Sequence, residues 1–423
     1  MHQYLNRNFE RSIADSRIIL QLAWRNLWRQ PRRTILSSLA IAFTAAFLIF
    51  MPSLQNGSYN TMIESTLRLY DGYAEIQQEG YRDNPEIRNS IENYAAVLTE
   101  LEKLPEIKSI GTRAIGSAVL SSKSRSLGAQ VVGVQPLAES KISSIPGNIR
   151  NGRFLQGEDS EEIVMGVTLA RNLQVELGDK LTLLGLGRDG SLAVDSLVLV
   201  GTFDTGIHAL DRLMAEIPLN RFQQAYTMDG QAHAIVLSGK TISQFQPVLE
   251  PIQVIAQQHN LKLLDWKALQ PGLYQGILLD ISSAAMIYIA MVLVVTFSLL
   301  NSLLMSVLER TREFGVLLAL GMRPGFIGRM VWTETVLIIV IGLSVGLLIG
   351  YFVSDYYGNV GIHFEQAQEI FDKYGLPSAI YPEVNALTLL AGPLVIGVSV
   401  LLAGLFPVLR IYRLEPVPAM RTI

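Results

Sequence analysis

Four stretches of the chain contain no Asp, Glu, Lys or Arg: 34–63, 281–308, 335–354 and 384–409. A bilayer core about 30 Å thick is crossed by roughly 20 helical residues, so each stretch is long enough to span. The pattern between them is different. Residues 16–30 place Leu20, Trp24, Leu27 and Trp28 at i, i+4, i+7 and i+8, and Arg17, Gln21, Arg25 and Arg29 on a neighbouring face. That spacing predicts an amphipathic helix, and Trp with Arg suits the headgroup region. Pro31 marks a bend into the first span.

The segment between the first two spans carries mixed signals. A helical start (89–104) ends before Pro105, and β-favouring runs follow at 130–134, 180–184, 197–203 and 234–237. A short helix over 167–175 precedes the turn at Gly178-Asp179. Pro271-Gly272 breaks the chain before a stalk helix that runs into the second span. The fold class expected is therefore a membrane protein of four transmembrane α-helices, with an α+β extracytoplasmic domain inserted between helices 1 and 2. The segments are 1–33 (cytosolic, with the interfacial helix), 34–56, 57–277 (external domain with stalks), 278–308, 309–326 (cytosolic loop), 327–354, 355–383 (external loop), 384–409 and 410–423 (cytosolic tail).

Composition agrees: of 423 residues, 49% are hydrophobic and only 17% charged. Charge is segregated, and this sets the orientation. Residues 1–33 hold seven Arg against Glu10 and Asp15, whereas 56–280 holds 19 basic and 26 acidic residues, a net of −7. The positive-inside rule then puts both termini and the short middle loop in the cytosol. The first span, preceded by about 33 mostly polar residues, is expected to be retained rather than cleaved. With no cysteine, disulfides and lipid-modified cysteine anchors are excluded.

Catalytic chemistry is sparse. The five histidines lie far apart, so no metal-binding pair is expected, and the phosphate loop G-x-x-x-x-G-K-[ST] is absent. Gly185, Gly187 and Gly190 match G-x-G-x-x-G, but strand-like runs flank them, which predicts a hairpin loop. The acidic run 158–162 reads as a solvated turn. Glu334 is the one charge at the edge of the third span and is expected to be interfacial, near Arg329 or Arg323. Gly342, Gly346 and Gly350 form a small-xxx-small series that suits either a dimer contact or packing within the chain.

Four pieces of sequence together resemble the FtsX-like, or MacB/lipoprotein-releasing, permeases of ATP-driven (ABC) transporters. They are AWRNLWRQPRRT (23–34), IVMGVTLARNLQVELGDK (163–180), ERTREFGVLLALG (309–321) and FPVLRIYRLEPVPAMR (406–421). The third is the most specific. The resemblance implies a permease subunit without catalytic residues of its own. ATP and magnesium would sit on a separate cytosolic ATPase subunit, and a second permease chain, identical or related, would complete the transporter. It also implies mechanotransmission, with an amphiphile such as a lipoprotein or lipid handled outside and a periplasmic adaptor or lipoprotein carrier as a further partner. The alternative is a non-transporting permease that activates an external cell-wall hydrolase. No nucleic-acid partner is expected, and the location is the inner membrane.

The same resemblance places a coupling helix near 309–324, with Glu309, Arg310, Arg312 and Glu313 touching the ATPase, Gly315 allowing close approach, and Gly321 and Pro324 ending the helix. Trp24, Arg25, Trp28 and Arg29 would anchor the interfacial helix. Phe43, Phe47, Phe50, Met51, Met286 and Leu293 offer an apolar lining for acyl chains.

Overall fold

The computed structural model describes residues 17–363 and 379–412. The chain divides into two compact units, Met1–Ser58 with Leu278–Ile362 and Ala379–Ile423, and Tyr59–Ile277 with His363–Ser378.

The first unit is helical. Residues 17–27 form a helix, a turn follows, and Pro31 opens the next helix at its first position, where the missing N–H costs nothing. Among the described residues, four helices are long and apolar enough to cross a membrane: Pro31–Leu69, Pro271–Glu309, Pro324–Val360 and Ala386–Ile411. The shortest has 26 residues, about 39 Å at 1.5 Å per residue, which exceeds a bilayer core. Asn385 starts it with a capping box through Thr388. The first two helices run on into the second unit, contributing residues 59–69 and 271–277 to it.

The four spans meet in an apolar core of Ile41, Leu48, Val292, Leu299, Ile339, Ile396 and Val400. The glycine series decides the closest approach. A Cβ on Gly342 would lie 2.7 Å from the Cβ of Ile41, and one on Gly346 would lie 2.6 Å from the carbonyl oxygen of Ala42. One on Gly350 would lie 3.0 Å from the Cβ of Ile49. The series is therefore consumed in packing the third span on the first within the chain. Outward faces remain apolar, as hydrocarbon requires.

The second unit is the α+β domain. Its strands are β1 (Ala74–Gln78), β2 (Ser109–Ser121), β3 (Ser126–Val134), β4 (Ile149–Gly152), β5 (Glu162–Gly166), β6 (Lys180–Leu186), β7 (Leu192–Phe203), β8 (Met214–Pro218), β9 (Ala234–Ser238) and β10 (Leu261–Asp265). The path β10-β1-β9-β2-β3-β8-β5-β7-β4 carries a second connection, because β6 bonds both β2 and β7. Strands β2, β3, β8, β5, β7 and β6 thus close a six-membered ring, which removes edges from that part of the sheet. Alternate residues point into it, among them Ala118 and Leu120, Ala129 and Val131, Leu181 and Leu183, and Leu197 and Leu199. Phe222 and Tyr226, from the helix Leu219–Tyr226, stack at 4.1 Å and join this core. Gly133 leaves room for them: a Cβ there would lie 2.5 Å from that of Phe222. The G-x-G-x-x-G run is the loop of the β6–β7 hairpin.

A second core lies beside β10, β1 and β9. It gathers Ile76, Ile235, Val97, Leu101 and Ile252 with Ile63, Leu67 and Ile277 from the two long helices. The expected helix over 89–104 is shorter, Tyr94–Leu101, because Asn93 caps it by accepting from Ala96 N–H.

Behind this sheet sits a buried ionic cluster that local sequence gives no sign of. Arg113 on β2, 1% exposed, donates to both carboxylate oxygens of Glu139 at 3.1 and 2.6 Å and stacks 4.0 Å over the Tyr70 ring. Glu75 on β1 lies 4.0 Å from Arg113 and accepts from Gln77 at 2.7 Å. Glu216 on β8 is fully buried, and neither carboxylate oxygen has a hydrogen-bond partner among the described residues. One guanidinium is set against three buried carboxyls. Burial, then Asp71, pushes Glu75 up to about 7. Burial, then Glu139, pushes Glu216 well above the usual carboxylate range.

The sign of the linkage follows: the folded state binds these protons more tightly than the unfolded chain does. The stability contributed by protonated Glu75 is complete below about pH 4.5 and is lost as pH rises to about 7. The shift corresponds to roughly 3 kcal/mol at 1.36 kcal/mol per unit. We expect thermal unfolding of the external domain, followed in the full chain, to move to lower temperature between pH 5 and 8. The Glu216→Gln variant should regain stability at pH 8 and change little at pH 5. A pH-independent gain would contradict protonation of this group.

Candidate functional site

The connection between the second and third spans is a built object. Helix Pro271–Glu309 stops at Glu309, Arg310 acts as N-cap, and a short helix runs Thr311–Ala319. Its end is a Schellman motif: Met322 N–H donates to the Leu317 carbonyl and Gly321 N–H to that of Leu318, both at 3.0 Å. Gly321 has φ +90°, a conformation that disfavours side chains. Arg323 is extended, as the residue before a proline prefers, and Pro324 begins the next helix.

Three sets of contacts hold this short helix against its own chain. Arg29 donates to both carboxylate oxygens of Glu313 at 3.1 and 3.0 Å. Arg33 meets Ser306 at 2.6 Å and Glu309 at 3.4 Å, and Gln30 also donates to Glu309. Arg310 grips Glu334 at 2.9 and 3.1 Å, while Asn26 donates to the same carboxylate at 2.7 Å. Beneath them, Phe314 is buried with Ile19, Val307, Ile327, Met330, Val331, Val408 and Ile411.

These contacts sort the residues expected to act here. Glu309 and Arg310 face other parts of the chain. Gly315 is buried beside Phe314, so its close approach is to the protein interior. Glu313 is half-exposed while paired with Arg29. Arg312 is exposed and has no ion pair among the described residues. Two residues not singled out from sequence complete its face: Val316, 46% exposed, and Leu320, 80% exposed. With Ala319 they fall at i, i+4, i+7 and i+8 from Arg312, one side of the helix. The signal was present, since apolar residues surround this helix instead of lining one stripe.

Glu334 corrects an expectation: its partners are Arg310 and Asn26, not Arg329 or Arg323. Arg329 lies five residues away, about 140° around the helix, and is exposed while Glu334 is buried.

In the helix over 17–27, Ile19, Ala23 and Leu27 are buried, so Leu27 belongs to the interior and not to the outward face. Trp24 and Trp28 are about half exposed and meet edge-on at 6.0 Å. Among the residues expected to line an acyl path, Phe43 stacks on Phe47 at 6.4 Å, and Phe50 packs on Tyr357 at 6.1 Å. Met51 is half-buried, and Met286 and Leu293 share an exposed face of the second span.

Two family descriptions match the chain: "MacB-like periplasmic core domain" over residues 34–252 and "FtsX-like permease C-terminal" over 285–416. The chain belongs to the FtsX-like, MacB-type permeases. The lipoprotein-releasing system transmembrane protein LolC of Neisseria meningitidis is 24% identical over 406 residues, 92% of this chain and 94% of the relative. LolE of Haemophilus influenzae is 25% identical over 399 residues, 90% and 92% respectively. A macrolide export ATP-binding/permease protein MacB from Shewanella is 31% identical over 121 residues, 29% of this chain and 16% of that one. The crystallised periplasmic region of MacB from Actinobacillus actinomycetemcomitans aligns with 48% of this chain and 92% of its own length, at 14% identity and a TM-score of 0.35.

This permease is therefore the transmembrane component of an ABC transporter of LolC/LolE/MacB type, and an ATPase partner is implied. Its ion pairs differ in weight. Arg310 and Glu334 are 12% and 10% exposed, so removing one leaves a charge stranded in apolar surroundings, a loss of about 3–5 kcal/mol. The exposed Arg29–Glu313 pair contributes about 1 kcal/mol or less. We expect Arg310→Leu to lower the unfolding temperature in detergent sharply, Arg310→Leu with Glu334→Leu to restore most of it, and Arg29→Ala to change little. Equal losses from Arg310→Leu and Arg29→Ala would contradict this ranking.

Proposed function

We propose that this permease couples ATP hydrolysis on a separate cytosolic ATPase subunit to movement of its external domain, for the extraction or export of a lipoprotein, lipid or similar amphiphile. The observation that supports this reading most directly is the short helix Thr311–Ala319. It is braced on one side and presents Arg312, Val316, Ala319 and Leu320 on the other. An exposed apolar face with a charged residue at its start is a surface suited to a groove on a soluble partner. Similarity along nearly the whole length of LolC and LolE, which are named as lipoprotein-releasing, favours the separate subunit and the lipidated substrate.

The mechanical reading rests on helix continuity. Helices Pro31–Leu69 and Pro271–Glu309 have no break between the apolar spans and the residues Ile63, Leu67 and Ile277 that enter the domain core. Substrate contact is assigned to the exposed apolar faces at Phe43, Met286 and Leu293. A second permease chain, identical or related, and an external carrier or adaptor complete the assembly.

The test is ATP turnover by the reconstituted permease–ATPase complex. Arg312→Glu combined with Val316→Asp should lower stimulated turnover at least about tenfold, which needs only about 1.4 kcal/mol of lost coupling. The external domain should keep its unfolding temperature. Unchanged turnover in a complex that still assembles would overturn the coupling role of this face.

A further inference from the structure

An apolar cleft of about 340 Å³ opens on the helical unit, lined by Leu27, Trp28, Ile35, Leu39, Gly342 and Val345. Three elements build it: the end of the amphipathic helix, the first turns of the first span, and the middle of the third span. Close packing at Gly342 draws the first and third spans together at its floor. Its walls stay open, with Trp28 53%, Ile35 48%, Leu39 56% and Val345 40% exposed.

The charge around this end of the bundle is unequally used. Arg29 and Arg33 are bound to Glu313 and Glu309. Arg25 and Arg32 are exposed and have no carboxylate partner among the described residues. Arg32 stands on the first span about one turn before Ile35, a wall of the cleft. An apolar slot with an exposed arginine about one turn away on the same helix matches one kind of molecule, an apolar chain with an anionic head. Water fills such a slot poorly because the lining has almost nothing to bond it.

We infer that this cleft is a binding site for an anionic phospholipid, with one acyl chain between Trp28, Leu39 and Val345 and the phosphate at Arg32. The lipid belongs to the leaflet at the arginine-bearing end of the spans, and it fills the gap where the amphipathic helix meets the bundle. Met286 and Leu293 stand on the second span, which does not line this cleft, whereas Phe43 lies one turn beyond Leu39 on the first span.

Trp28 reports directly on occupancy. The full chain, with Trp24, Trp266 and Trp332 replaced by Phe, would be placed in nanodiscs with lipids brominated along the acyl chain. Half-maximal quenching of Trp28 should need roughly fivefold less brominated phosphatidylglycerol than brominated phosphatidylcholine, the preference expected from about 1 kcal/mol for one arginine, Arg32, near the surface. Arg32→Gln should remove most of that preference, and Val345→Phe should weaken quenching by both lipids. Equal quenching by the two lipids in the chain with Arg32 intact would reduce the site to ordinary annular contact and overturn the proposal. Trp28 shielded from both lipids, with cross-links to another copy of the chain, would overturn it as well.

Discussion

The Arg310–Glu334 pair is the interaction on which the end of the helical unit that carries the short helix depends. The spans contain no charge, so a carboxylate at the edge of the third span is tolerable only when a cation and a donor reach it. Arg310 supplies the cation from the end of the second span, and Asn26 supplies the donor from the amphipathic helix. Three separate segments are thereby fixed at one point, and the short helix between Arg310 and Gly321 inherits its orientation from them. Its outward face is defined because its inward face is fully used.

The external domain meets the same constraint differently. Its ring of six strands buries an apolar interior by simple alternation, while the neighbouring layer encloses Arg113 with Glu75, Glu139 and Glu216. One cation cannot balance three carboxylates, so part of the cluster holds protons instead. These residues come from β1, β2, β8 and the helix Pro136–Ile142, and the cluster also touches Tyr70, next to the end of the first long helix.

What the sequence made legible follows from range. The spans were readable because hydrocarbon demands a long uncharged run, and Gly321 and Pro324 because turn chemistry is local. Strands rich in Val, Leu and Ile, such as β3, β6, β7 and β9, were readable too. Strands β1 and β8 were not: AEIQQ and MAEIP place Glu75 and Glu216 in what looks like polar loop. Both are buried only because partners arrive from remote strands and from the helix holding Glu139. The same limit applied to Glu309, Arg310 and Glu313. The family resemblance suggested their contact with an ATPase, and range hid that Glu309 and Glu313 also meet Arg33 and Arg29, some 280 residues earlier. Val316 and Leu320 were not singled out, because which side of this helix faces outward is set by the remote segments that brace the other.

The central claim is that the short helix is braced by its own chain on one face and meets the ATPase with the other. A photo-crosslinking residue at position 320, compared with one at the equally exposed position 286, tests this most directly in the intact complex. The account predicts capture of the ATPase subunit from 320 and of lipid or substrate from 286. Capture of lipid alone from 320, with the ATPase present and bound, would contradict it.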